Sequence, residues 1–193
     1  MWSLRLCAPS SMSRELMNEA QIIPAVAVAV GISAAISDVK ERRIPNRLTY
    51  SAIVGGLLLQ AVLHGWQGLL LGGGGFLLFG GVFMLFYVVR AMGAGDVKLA
   101  AALGSIVGYS ATLPVMYATA LAGAALAVLF MVLSGRVLET LRNTLWVSGF
   151  HLRHGLQVHP QVNLDNPSGA RMPYGLAFAA GTLYWAVSAQ LGR

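Results

Sequence analysis

The stretch LLLGGGGFLLFGGVFMLFYV, residues 69–88, runs for 20 positions without a charged side chain. A helix that crosses the hydrocarbon core of a bilayer needs roughly 20 mostly apolar residues, so this stretch alone predicts a membrane span. The whole chain has the same character, because 56% of its 193 residues are hydrophobic and only 10% are charged. A soluble domain carries about 25% charged residues. With a mean hydropathy of +0.68, the chain is predicted to be a polytopic membrane protein.

Further apolar stretches lie on both sides of this one. Four come near the length of a span, and a fifth is shorter and carries Lys98 as its only charged residue. They are residues 22–37, 48–63, 111–133 and 173–191, and the shorter stretch 97–109. Glycine and alanine are frequent in them, and small residues let helix backbones approach closely in lipid. The predicted fold class is all-α, a membrane bundle of about six transmembrane helices.

The domain organisation follows from where the apolar stretches begin. Residues 1–21 form a polar N-terminal extension, and residues 22–193 form a single membrane domain. Three methionines are open as the start of translation: Met1, Met12 and Met17.

A cytoplasmic or interfacial loop is predicted at about residues 135–171. Apolar residues recur in it at helical spacing, which is typical of a helix lying at the membrane surface. These residues are Leu138, Leu141, Leu145 and Trp146. The loop also holds three histidines, His151, His154 and His159, without a cysteine or a helical i, i+4 pair. We therefore interpret them as surface residues and predict no metal site.

The basic residues predict the orientation and explain the net charge of +6. With six spans and the N-terminus outside, ten of the 13 basic residues fall in inside loops and three fall outside. The inside set is Lys40, Arg42, Arg43, Arg47, Arg90, Lys98, Arg136, Arg142, Arg153 and Arg171, and the outside set is Arg5, Arg14 and Arg193. Cytoplasmic loops of membrane proteins carry such an excess of Lys and Arg. The charge therefore does not require nucleic acid as a partner.

Only seven residues are acidic, and two of them lie at the ends of predicted spans. Asp38 closes the first span, and Asp96 opens the fourth within Gly93-Ala94-Gly95-Asp96. The other five are interpreted as solvated charges: Glu15, Glu19, Glu41, Glu139 and Asp165. In the orientation given above, Asp38 and Asp96 lie at the same cytoplasmic boundary, so they can meet.

A pair of acids at a membrane boundary points to acid–base chemistry. Ionisable groups in membrane helices are costly and are candidates for function by default. Two neighbouring carboxyl groups share one proton, because the second ionisation is opposed by the first charge. One group can then take a proton from water while the other protonates a scissile carbonyl. In the alternative reading, each Asp caps a helix or pairs with a nearby Lys or Arg.

The residues around the two acids are predicted to shape the site. Gly93 and Gly95 can take a positive φ and leave room for a backbone to pass close to Asp96. Ile44-Pro45-Asn46 is predicted to form a turn at the rim, because proline disfavours helix at the preceding residue. Lys98 lies about 200° around a helix from Asp96, so it is interpreted mainly as an interfacial anchor and secondarily as a group that holds substrate.

Two motifs carry a resemblance to a known family. Asp38 followed by Ile44-Pro45-Asn46, together with Gly93-Ala94-Gly95-Asp96-Val97-Lys98-Leu99, resembles the type IV prepilin peptidases. Pro173-Tyr174-Gly175 at the start of the last span is also similar to that family's pattern, and the likeness covers about residues 22–191. The compact form resembles the peptidases of Flp-type (tight-adherence) pilus systems.

The resemblance implies a GxGD aspartic endopeptidase of the bacterial inner membrane with Asp38 and Asp96 as its catalytic pair and a site facing the cytoplasm. Its substrate would be a prepilin or pseudopilin with a basic leader and an apolar helix, and its other partner the lipid bilayer. No cofactor is expected. Larger members carry a cysteine-bearing domain and methylate the new N-terminus, but this sequence has one cysteine, Cys7, so methyl transfer is not expected.

Other functions remain open from the sequence. Another GxGD intramembrane protease would cut inside an apolar span and lacks the Ile-Pro-Asn turn. A small ion-coupled transporter would use the two acids to bind a cation, although sites of that kind lie near the midplane of the bilayer. A membrane subunit of a secretion system would tolerate Asp→Asn at both positions. The identity of the prepilin and the oligomeric state are also open.

Overall fold

The computed structural model describes residues 11–135, 137–155 and 172–191. Within these ranges all the regular elements are helices, which confirms the predicted all-α class. They are α1 Ser11–Glu41, α2 Asn46–Val88, α3 Ala94–Leu133, α4 Val137–His154 and α5 Tyr174–Leu191.

The first helix, α1, is longer than the apolar stretch that predicts it. It begins at Ser11, inside the predicted polar extension, and the first ten residues of that extension lie outside the described ranges. It ends after Glu41, where Arg42 has a φ of 51° and donates its N–H to the carbonyl of Asp38 at 2.9 Å. A left-handed residue after the last turn is a common way for a helix to end.

The second helix, α2, folds back on itself. A straight helix of its 43 residues would be about 65 Å long, twice the thickness of a bilayer core. Gly65 interrupts it with φ 60° and ψ −141°, a conformation that glycine adopts without steric cost. Beyond it, Gly68 lies against the carbonyl of Gln60, which would be two turns away in a continuous helix. The arms of α2, residues 46–64 and 66–88, therefore run side by side.

The third helix, α3, is interrupted in the same way at Gly108, with φ 74° and ψ 168°. Beside the interruption, the buried amide of Gln60 donates from Nε2 to the carbonyl of Ile106 at 2.7 Å. Gly75 and Gly104 meet so closely that a Cβ on either would collide with the carbonyl of the other. The second arm of α2 and the first part of α3 thus pack backbone against backbone, which small residues allow in membrane helices.

The last helix, α5, packs against both α1 and α3. On the α1 side, a Cβ at Gly31 would lie 2.8 Å from the hydroxyl of Thr182. On the α3 side, a Cβ at Gly181 would lie 2.5 Å from the Cα of Thr119. Small residues at both contacts therefore set how deeply α5 sits in the bundle.

Among the residues that the structure describes, three helices are long and apolar enough to cross a membrane: residues 21–41 of α1, and all of α2 and α3. The interruption at Gly65 falls between the predicted stretches 48–63 and 69–88, and the one at Gly108 lies at the end of the predicted stretch 97–109. The count of about six spans stays a prediction.

The amphipathic helix predicted in the loop corresponds to α4. Its apolar residues are exposed, with 84% of Leu138, 73% of Leu145 and 62% of Trp146 accessible. Its placement at a membrane surface stays a prediction. Residues 156–171 of the predicted loop lie outside the described ranges.

Five helix ends meet at one end of the bundle, which we call the Asp38 end. Because α2 reverses at Gly65, both of its ends lie there. The short links 42–45 and 89–93 keep the last turn of α1 and the first turn of α3 beside them. The first turn of α5 joins them through a hydrogen bond to Asp38. The fold therefore gathers segments that are far apart in the sequence.

Candidate active site

The Asp38 end brings the two boundary acids together. Asp38 lies in the last turn of α1 with 8% of its surface exposed. Asp96 is the third residue of α3 and is half-buried. Their carboxyl groups are close enough for the charge of one to act on the other. The short links on either side of α2 produce this proximity, because they place the end of α1 and the start of α3 on the same side of the bundle.

The carboxyl group of Asp38 is held by the first turn of α5. The N–H of Gly175 donates to Oδ2 of Asp38 at 2.8 Å, and this hydrogen bond is buried. The first N–H groups of a helix have no partner within the helix, so a carboxylate is a favourable acceptor for them. Asp38 of α1 thus caps the N-terminus of α5.

The carboxyl group of Asp96 is held within its own helix. Gly93 precedes α3 as its N-cap, and its N–H donates to Oδ2 of Asp96 at 3.2 Å. An acidic side chain at the third helical position commonly makes this bond. The helix-capping alternative from the sequence therefore describes part of what both acids do. It does not exclude an electrostatic interaction between them.

Neither Gly93 nor Gly95 uses the positive φ that glycine allows. Gly93 has φ −78° and ψ 153°, and Gly95 is an ordinary residue of α3. A Cβ at Gly95 would lie 3.4 Å from the Cβ of Ile44, an ordinary contact distance, and a Cβ at Gly93 would lie 3.3 Å from Oδ2 of Asp96. Gly95 therefore places the first turn of α3 beside the rim residue Ile44, and Gly93 lies beside the carboxyl group that its own N–H binds.

The predicted turn links α1 to α2 and contacts the start of α3. Ile44 and Pro45 are non-helical, and Pro45 is the N-cap of α2 with φ −63° and ψ 133°. Asn46, the first residue of α2, accepts a hydrogen bond at its Oδ1 from Nζ of Lys98 at 2.9 Å. The same ammonium group lies 5.0 Å from the centre of the Tyr50 ring, within the range of a cation–π interaction. We call Asn46, Tyr50 and Lys98 the clasp, because they hold the first turns of α2 and α3 together.

Two residues of the site are not among those predicted from the sequence. Gly175 binds Asp38, and Tyr174 lies close enough to Asp96 for the charge of that acid to act on its hydroxyl. In the sequence, Pro173-Tyr174-Gly175 is noted only for its resemblance to the family's pattern. Its position could have indicated a place at the site, because this run opens the last apolar stretch on the side that the basic residues predict to be cytoplasmic.

The interpretation of the loop histidines as surface residues stays a prediction. His159 and the side chains of His151 and His154 lie outside the described parts of the structure. Across the residues that the structure describes, no three His, Cys, Asp or Glu side chains are grouped so that they could hold a metal ion.

The arrangement at the Asp38 end suits the transfer of protons between two acids. Each carboxyl group accepts a backbone hydrogen bond at its Oδ2 atom. The fold and this pair define a class: helical membrane proteins that hold two interacting carboxyl groups at one end of the bundle. Comparison with known proteins identifies a family within this class.

The chain belongs to the type IV leader peptidase family. The model of that family matches residues 25–128, just over half of the chain. Membership implies a protease, of the aspartic type in this family. The matched range contains Asp38 and Asp96 with both of their motifs, and it ends before α4 and α5. Among curated proteins and among solved structures, no match was found.

Proposed function

We propose that this protein is a prepilin peptidase of the inner membrane of a bacterium. It removes the basic leader from type IV prepilins or pseudopilins of the Flp-like kind, at the cytoplasmic face. The observation that carries the proposal is the proximity of Asp38 and Asp96 at one end of a membrane bundle. Family membership supports proteolysis, and the two acids supply groups that can perform it.

Hydrolysis by this pair needs one ionised and one protonated carboxyl group. The ionised acid takes a proton from water as the water oxygen attacks the carbonyl carbon of the scissile bond. The protonated acid donates its proton to the carbonyl oxygen, which gives a neutral tetrahedral intermediate. When that intermediate collapses, the C–N bond breaks and the leaving nitrogen takes the proton that the first acid had gained. One hydroxyl of the intermediate returns its proton to the second acid as the C=O bond re-forms. Asp38 and Asp96 return to one proton between them.

The position of the acids agrees with a substrate that is partly embedded in the membrane. The apolar helix of a prepilin would lie against the bundle in the bilayer, and its polar leader would emerge at the Asp38 end. Basic residues crowd that end, at Lys40, Arg42, Arg43 and Arg47. Under the positive-inside rule, this distribution supports a cytoplasmic site.

The test is co-expression of the full chain with a Flp-type prepilin, followed by a mobility shift and N-terminal sequencing of the product. Asp38→Asn and Asp96→Asn should each abolish processing, because an amide cannot exchange the proton. Glu41→Gln is the matched control, since this exposed acid lies one turn from Asp38 on the same helix and should process normally. Membrane insertion of each variant is checked by fractionation.

Three outcomes would contradict the proposal in different ways. Processing by either Asn variant would remove the acid pair from the mechanism and favour a structural subunit. A cut inside the apolar helix would favour another kind of intramembrane protease. No cleavage of the prepilin by the wild-type protein would reject the proposed substrate.

A further inference from the structure

The first turn of α5 makes a contact that the matched family range does not include. The N–H of Gly175 donates to Oδ2 of Asp38 in a buried hydrogen bond of 2.8 Å. The family match ends at residue 128, and α5 begins at Tyr174. One of the two acids is therefore oriented by a part of the chain beyond the segment that identifies the family.

Position 175 has no room for a side chain. A Cβ there would lie 2.9 Å from the Cβ of Asp38, 3.1 Å from its Oδ2 and 3.0 Å from the Cα of Ala35. The Cα of Ala35 belongs to the backbone of α1 and cannot move without shifting the helix. Any residue larger than glycine would push the first turn of α5 away from Asp38 and lengthen the hydrogen bond.

We propose that Gly175 is a positioning residue for Asp38. Its N–H fixes the direction of the carboxyl group, and its missing side chain lets α5 come close enough to do so. The role rests on the proposed function, because it concerns the acid that we assign to proton transfer. It goes further than the proposed function because it makes α5 part of the active site. The segment that holds both acids is then not sufficient for cleavage.

The experiment compares two glycine variants of α5 in the full-length protein. Gly175→Ala should lower kcat for prepilin cleavage about 100-fold, with KM within about twofold, because a small misplacement of a reacting group costs that much in rate. Gly181→Ala is the matched control. Gly181 lies six residues after Gly175 on the same helix, and a Cβ there would meet the backbone of Thr119. The variant therefore disturbs the packing of α5 at a distance from Asp38.

Thermal unfolding of both variants in detergent separates the two effects. We expect Gly181→Ala to lower the melting temperature at least as much as Gly175→Ala while keeping kcat within about threefold of wild type. If Gly175→Ala keeps kcat within about threefold, or if the two variants lose kcat equally at equal melting temperatures, the positioning role is wrong.

An infrared measurement tests the contact independently of cleavage. The carboxyl band of Asp38 is identified by its loss in Asp38→Asn, and this band should shift in Gly175→Ala and stay in place in Gly181→Ala. An unshifted band in Gly175→Ala would overturn the inference. If the wild-type protein does not cleave the prepilin, the proposed function fails, and the infrared result still decides whether Gly175 orients Asp38.

Discussion

The clasp offers a measurable link between the first turns of α2 and α3. Lys98→Met removes the ammonium group and keeps the length of the side chain, so the hydrogen bond to Asn46 and the contact with Tyr50 are both lost. A hydrogen bond to a charged group contributes about 1.5–3 kcal/mol. Asn46 is exposed and Lys98 is half-buried, so solvent screening lowers the contribution of this hydrogen bond to about 1 kcal/mol. The cation–π contact adds about 0.5 kcal/mol.

The resulting expectation is a loss of about 1.5 kcal/mol for Lys98→Met and about 1 kcal/mol for Asn46→Ala. Because the two side chains share one bond, the double variant should lose less than the sum, with a coupling of about 1 kcal/mol. For a chain of this size, 1 kcal/mol corresponds to about 2–4 °C in melting temperature.

The assay is thermal unfolding in detergent of the two single variants and the double variant, with Lys40→Met as the control. Lys40 is an exposed lysine at the same end of the bundle, and its substitution should change the melting temperature by less than about 1 °C. Additive losses in the double variant, with a coupling below about 0.3 kcal/mol, would refute the clasp as a connection between the helices.

Two further variants test the packing of the bundle. Gly75→Ala should destabilise the protein by about 1–3 kcal/mol, because the new Cβ meets the carbonyl of Gly104. Gly73→Ala is the control and should not destabilise the protein, because position 73 faces open space. Equal melting temperatures for the two variants would contradict the close contact. Gln60→Leu should cost about 1–3 kcal/mol, because it leaves the buried carbonyl of Ile106 without its 2.7 Å donor. The exposed Gln67→Leu is its control, and a Gln60→Leu protein that melts with wild type would show that the bond is not needed.

Much of the fold could be predicted from the sequence because lipid imposes a simple requirement. Backbone groups in a bilayer must be satisfied internally, so long apolar stretches become helices. The stretches 48–63 and 69–88 correspond to the two arms of α2, and the gap between them contains the reversal at Gly65. The extent of α1 was less predictable, since residues 11–21 are helical without being apolar.

The site was predictable only in part. Two acids at span ends could be selected from seven by position alone, since charges at such places are rare. The contacts that orient the two acids could not be predicted from the sequence. Gly175 binds Asp38 through a backbone N–H, which every residue but proline carries, so the hydrogen bond could not be predicted from the residue type. Glycine at 93 and 95 allows unusual backbone angles, but Gly93 is extended and Gly95 is an ordinary helical residue.

The central claim is that Asp38 and Asp96 act as one unit, and a double-mutant cycle on prepilin cleavage tests it most directly. The rates of Asp38→Asn, Asp96→Asn and the double variant are measured on the same purified substrate in detergent. If the acids share one proton-transfer step, each single variant should lose at least about 100-fold in kcat, and the double variant should be no slower than either. A double variant that loses the product of the two single effects, or a single variant with near-normal kcat, would contradict the account.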